Sequence, residues 1–138
     1  MSDNETLVQD ALQAWVVAFN DCDAERTASL YAPDALLWGT MSTSLVASPE
    51  GIREYFRRAF AAGTPPTVAL GEGVLARTQG KTAVSSGTYT FTVDVQGLSR
   101  SLPARFSFAY RKAGQGWLVV SHHSSLMPAT MPAPSPGQ

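Results

Sequence analysis

Apolar residues at Leu7, Val8, Ala11, Leu12, Trp15, Val16 and Phe19 recur at spacings of three and four, which gathers them into one stripe of a helix over residues 5–19. Asp23 ahead of Ala24-Glu25-Arg26 has the form of an N-cap, and it predicts a short second helix that closes with Leu30-Tyr31 before Pro33. Ala35-Leu36-Leu37-Trp38 reads as a short strand. Ser48-Pro49-Glu50 then supplies a cap, a proline suited to the first helical position and an acidic residue for the first turn. Ile52, Tyr55, Phe56 and Phe60 keep helical spacing until Gly63 and Pro65-Pro66 stop the third helix.

After Pro66 the period changes to two. Strands are predicted over 68–76, 83–95, 105–111 and 117–125, divided by Gly80-Lys81, Gln96-Gly97 and Ala113-Gly114-Gln115-Gly116. Three helices followed by a meander imply an α+β domain, with three N-terminal helices packed on a strongly curved antiparallel sheet. The domain is expected to occupy residues 1–128, with a proline-rich tail at 129–138. On the strand at 105–111, Phe106, Phe108 and Tyr110 share one side while Ser107 and Ala109 share the other. An apolar face outside the sheet would need cover, so a homodimer is expected.

The last strand carries the most unusual pattern. Its apolar run Trp117-Leu118-Val119-Val120 finishes in Ser121-His122-His123-Ser124-Ser125, which holds both histidines of the chain. Alternation puts His122 and Ser124 on one face, and Ser121, His123 and Ser125 on the other, so either face turned inward brings an imidazole and a hydroxyl. Adjacent histidines on a strand point apart, and without a third histidine a three-histidine zinc site cannot form, so no cofactor is expected, with zinc the disfavoured alternative.

Composition narrows the function classes. A net charge of −1 over 138 residues offers no basic surface for phosphates or anionic lipid, so neither nucleic acid nor membrane is an expected partner. Cys22, the single cysteine, excludes an internal disulfide and a cysteine zinc cluster, and its neighbours Asp21 and Asp23 disfavour a thiolate. Residues 1–13 carry acidic side chains where a signal peptide needs positive charge and an apolar run, which makes the cytoplasm the expected location. No phosphate loop, nucleophile elbow or paired acidic motif is visible. Thr40 follows Trp38-Gly39 at a strand end, where a turn hydroxyl bonded to backbone is the ordinary reading. Tyr55 lies on the apolar stripe of the third helix and reads equally as a core tyrosine. Arg105 reaches a cavity only if its side of the strand turns inward, and Asp34 suits a turn better than a base.

The segments Ser29 to Leu37, Ile52 to Phe56, Ser86 to Phe91, Ala104 to Arg111 and Trp117 to Pro128 resemble, in order, the cone-shaped α+β superfamily of nuclear transport factor two and SnoaL, with its cystatin-like fold. Leu37-Trp38-Gly39-Thr40-Met41-Ser42 together with the terminal His122-His123-Ser124-Ser125 resembles the branch related to the association domain of calcium/calmodulin-dependent kinase II, and within it the iota-class carbonic anhydrases. That resemblance implies reversible hydration of carbon dioxide to bicarbonate in a polar pocket inside the cone, without metal. It implies Thr40, Tyr55 and Ser124 as the hydroxyls that bind bicarbonate, with His122 beside them to move a proton near its unperturbed pKa of about 6.5. Arg105 would add attraction for the anion if inward, and His123 with Ser125 form the alternative register. The chain departs from the iota pattern at Gly39, where proline is usual, at Thr43, and at Ser121 ahead of the histidine pair. The kinase domain implies instead an oligomerisation module that binds a small anion or metabolite without catalysis. SnoaL-like isomerase or cyclase chemistry would require a larger pocket and an acidic base, for which Asp34 is the candidate.

Overall fold

The computed structural model describes residues 3–61 and 63–128, so the proline-rich tail expected at 129–138 lies outside the described residues. Helix α1 (Asp3–Asn20) buries Val8, Leu12, Trp15, Val16, Ala18 and Phe19, the stripe its periodicity required, while Leu7 at its margin stays exposed. Helix α2 (Ala24–Ser29) begins where expected, with the Asp23 side chain accepting the Arg26 backbone N–H at 2.9 Å. It ends earlier than expected. Tyr31 is already the first residue of strand β1 (Tyr31–Trp38), because the Leu30 carbonyl accepts the Val119 N–H and the chain enters a ladder. Pro33 sits in that strand at the edge of the sheet, where a missing N–H is tolerated. Helix α3 (Pro49–Ala61) starts on the Ser48 cap, whose Oγ accepts the Gly51 N–H at 3.1 Å.

The strand expected over 68–76 is two strands, β2 (Thr67–Leu70) and β3 (Leu75–Gln79), parted by Gly71-Glu72-Gly73 with Gly73 at a φ of +77°. Both pair with β4 (Thr82–Val95), β2 along Tyr89–Thr92 and β3 along Thr82–Ser86. The chain can step from one stretch to the other only beside Gly87, where a Cβ would stand 2.8 Å from the Val74 side chain. Strand β5 (Leu98–Ala113) is longer than expected, because its polar first half continues the hairpin with β4 beyond the core. Strand β6 (Gly116–Leu126) completes the order β1-β6-β5-β4-β2, with β3 also on β4.

Four of the strand pairings are antiparallel, and β1 joins β6 in parallel, so the curved sheet is mixed rather than wholly antiparallel. The helices cover one face of it. Trp15 fills the middle, its indole against the rings of Phe19, Phe56, Tyr89, Phe108 and His122 at centroid distances of 5.1–6.4 Å. The Asn20 side chain fastens the end of α1 to the sheet by donating to the Val68 carbonyl and accepting the Val68 N–H.

The aromatic side of β5 faces the helices. Phe106, Phe108 and Tyr110 are all buried, while Arg105, Ser107 and Arg111 occupy the outer face. This overturns the reason given for a homodimer, since the rings expected outside the sheet form its core. A β-bulge lies in β6 opposite Ala109 and Tyr110, which pair with Ser121 and Val119 and leave Val120 as an extra residue. Trp117 and Val119 point inward ahead of it, and His122 and Ser124 point inward after it.

Candidate functional site

Strand β6 delivers His122 and Ser124 to the inner face, at 3% and 5% exposure, and β1 runs beside it so that Leu37 pairs with His122. Thr40, just past the end of β1, brings its Oγ1 within 2.5 Å of Ser124 Oγ. The Tyr89 hydroxyl, projecting from β4, donates to Ser124 Oγ at 2.5 Å and stands 3.2 Å from His122 Nε2. On the other side of the imidazole, the Tyr31 hydroxyl lies 2.8 Å from Nδ1 and accepts the Trp15 indole N–H at 3.0 Å. Four elements and the loop after β1 thus contribute to one chain of polar groups in an otherwise apolar interior. Each group has a partner, as low-dielectric burial requires.

Burial controls the ionisation of the whole cluster. The His122 ring stacks on Phe108 at 3.8 Å, and loss of solvent, with a smaller contribution from His123, pushes its pKa down to about 3. At neutral pH it is an uncharged hydrogen-bonding group, not the proton acceptor expected of an unperturbed imidazole. Desolvation also raises the pKa of Tyr31, Tyr89 and Tyr55, although the Ser124 hydroxyl offsets part of this for Tyr89. No charge is present at the base of the site.

Above the cluster opens a cavity of about 890 Å³. Thr40, Tyr55, His122 and Ser124 all line it, with Tyr89 and Trp15 at its base, and Phe91, Val93, Leu102, Leu45 and Val46 forming apolar walls. Tyr55 reaches it differently from the others. Its hydroxyl is held by backbone, accepting the Met41 N–H at 3.2 Å with a further contribution from the Thr40 backbone, and its ring lies on Gly39, where a Cβ would come 2.2 Å from Cζ. The charged lining residues are Glu54, Arg58 and Asp94, all exposed, with Arg58 paired to Glu54.

The other candidates point away. Arg105 is on the outer face, where its Nε donates to Ser125 Oγ at 3.1 Å, because alternation with buried Ala104 and Phe106 turns it outward. It cannot serve as an anion-binding residue of this cavity. His123 shares that outer face, which removes the His123 and Ser125 register. Asp34 forms a two-bond ion pair with Arg111 in solvent, and that pair lowers its pKa, so it is neither near the cavity nor suited to act as a base. Among the described residues, no three of His, Cys, Asp and Glu stand together so as to hold a metal ion. Tyr89, Tyr31 and Trp15 were not singled out as site residues by sequence reasoning. The signal for Tyr89 was its period-two alignment with Phe91 and Val93, and Tyr31 sat in a segment that spoke only for the fold.

Residues 8–130 match the SnoaL-like domain, and the chain belongs to that family. Among solved structures it is similar to a protein of Xanthomonas campestris described as a calcium/calmodulin dependent protein kinase II association domain, with 33% identity over 89% of this chain and 87% of the other, at a TM-score of 0.80. A dehydratase-like protein of the NTF2-like family from Streptomyces avermitilis shares the fold at 19% identity, with a TM-score of 0.80 over 91% and 98% of the two chains. A ketosteroid isomerase-like protein from Erwinia carotovora atroseptica does so at 19% identity and a TM-score of 0.77, over 92% and 98%. No curated protein has a matching sequence. No described helix is long and apolar enough to cross a membrane.

Proposed function

We propose that the cavity takes a neutral, oxygen-bearing small molecule with an apolar body, a carbonyl compound, and that the Tyr55 hydroxyl and one donor from the Thr40–Ser124 pair bind and polarise its oxygen. The observation that carries this reading is the pairing of uncharged hydroxyls at the base with apolar walls along a cavity of about 890 Å³. An anion entering it would shed its hydration shell with no buried cation in return, and the rim holds two carboxylates against one guanidinium. A carbonyl oxygen costs far less to desolvate and gains the hydrogen bonds. Polarisation by preorganised neutral donors is the form of assistance such a site offers to an isomerisation or dehydration. Calorimetric titration with an eight-carbon series tests the reading: 2-octanone is expected to bind more tightly than octanoate or octylamine. Preference for either charged compound would overturn it.

The clustering of Thr40, Tyr55 and Ser124 hydroxyls supports a second reading, metal-independent hydration of carbon dioxide. Two observations weigh against it. His122 is too weak a base to take a proton from water at neutral pH. Any residue larger than glycine at position 39 would collide with Tyr55 where it now lies, so a site built on proline there holds its tyrosine differently. Stopped-flow measurement on chelator-treated protein separates the readings. No acceleration of hydration is expected, and an acceleration lost in Ser124→Ala would establish the anhydrase in place of the carbonyl reading.

A further inference from the structure

The polar chain has a direction, and the direction is set at its far end. An indole N–H only donates, so Trp15 occupies the Tyr31 oxygen as an acceptor and leaves the Tyr31 hydrogen for its one remaining partner, His122 Nδ1. The opposite arrangement would bury that hydrogen without an acceptor. An Nδ1 that accepts belongs to an imidazole carrying its proton on Nε2. From Nε2 the N–H donates to the Tyr89 oxygen, and Tyr89 donates to Ser124. Ser124 and Thr40 then hold two hydroxyl hydrogens for the single bond between them. One hydrogen has no place in that bond, and both residues line the cavity, with the Tyr89 hydroxyl also beside Thr40.

We propose that Tyr31, which is not part of the cavity wall, is a positioning residue that fixes His122 in its Nε2–H tautomer and so commits the Thr40–Ser124 pair to offering a donor to the bound molecule. The tautomer stands on the bonds alone, whereas the benefit to a ligand rests on the carbonyl reading of the cavity. A donor-only ligand would leave the spare hydrogen unmatched, and an acceptor oxygen completes the count.

The experiment is long-range proton–nitrogen correlation NMR on nitrogen-15 labelled full-length protein at neutral pH, with exposed His123 as the comparison in the same spectrum. Wild type is expected to show a single Nε2–H tautomer at His122. Tyr31→Phe should lose that preference and give a mixture, while Tyr89→Phe should keep it, because the donor to Nδ1 is intact. A role limited to packing would not produce this asymmetry. An Nδ1–H or protonated imidazole in wild type, or a tautomer lost in Tyr89→Phe and kept in Tyr31→Phe, overturns the proposal. If Tyr31→Phe does not fold, the wild-type and Tyr89→Phe spectra still decide it. Affinity for 2-octanone should fall about fivefold in Tyr31→Phe. Failure of wild type to bind 2-octanone, with the tautomer as expected, would reject the carbonyl reading and leave the assignment of Tyr31 standing.

Discussion

Imidazole normally changes charge near neutrality, and the surroundings of His122 withdraw it from that role. Its pKa is about 3 in the folded protein against about 6.5 for a free side chain, so below pH 6.5 the unfolded chain binds a proton that the native state refuses. Stability therefore rises with pH between about 3 and 6.5 and is lost on acidification through that window. At pH 5 this one residue is expected to remove about 2 kcal/mol relative to pH 7. Urea unfolding at the two pH values measures it, and His122→Gln should flatten most of the difference. Gly39→Ala forces the Tyr55 ring from its seat, because the new Cβ would overlap Cζ and the hydroxyl. A loss of about 1 kcal/mol in thermal unfolding is expected, with weaker binding of 2-octanone than Tyr55→Phe shows, since Phe removes the hydroxyl without displacing the ring. Pattern alone made Thr40, Tyr55, His122 and Ser124 polar side chains at strand ends and on a stripe, and only the family resemblance grouped them into one site. Their ionisation was not legible, because desolvation depends on Phe108 and Trp15, which arrive from other elements.

At the level of elements, the helices were legible wherever a stripe and a cap coincided, as at Asp23 and Ser48. Boundaries shifted where a long-range partner intervened: the ladder with Val119 drew Tyr31 out of the second helix. The inward face of the last strand shows the same limit more sharply. Strict alternation from Trp117 and Val119 would place Ser121, His123 and Ser125 inside. The extra residue Val120 reverses that parity, and nothing in a run of valine and serine announces a bulge. Deleting Val120 should restore a regular ladder while keeping His122 and Ser124 on the inner face, since Ser121 would take the outward place beside Val119. The spectrum of His122 reports the outcome. Appearance of a sequestered, unprotonated His123 instead would show that the bulge had been misassigned.

For the whole molecule, the outer face of the sheet combines small polar residues with an apolar margin on the edge strand, where Leu36 and Trp38 are 43% and 41% exposed. We propose that a second copy covers that margin, with a homodimer at micromolar concentration as the expected outcome. Sedimentation equilibrium checks it, with Trp38→Glu shifting the mass toward one chain. A monomeric wild type would reject it.

The parallel seam between β1 and β6 also governs when the molecule can come into being. Tyr31 and His122 are 91 residues apart, and the site groups on β6 lie on the last strand of the sheet in sequence order. The β4, β5 and β6 hairpins close through short turns, whereas the seam must recruit a strand made long before, at a much larger cost in loop closure. During synthesis, the first half leaves the ribosome with Leu37, Trp15 and Phe56 lacking their sheet partners, and the cavity lacks His122 and Ser124 until the last strand of the domain arrives. Folding is therefore expected to end at the seam, so that substitutions at Leu37 or Ala35 speed unfolding far more than they slow refolding.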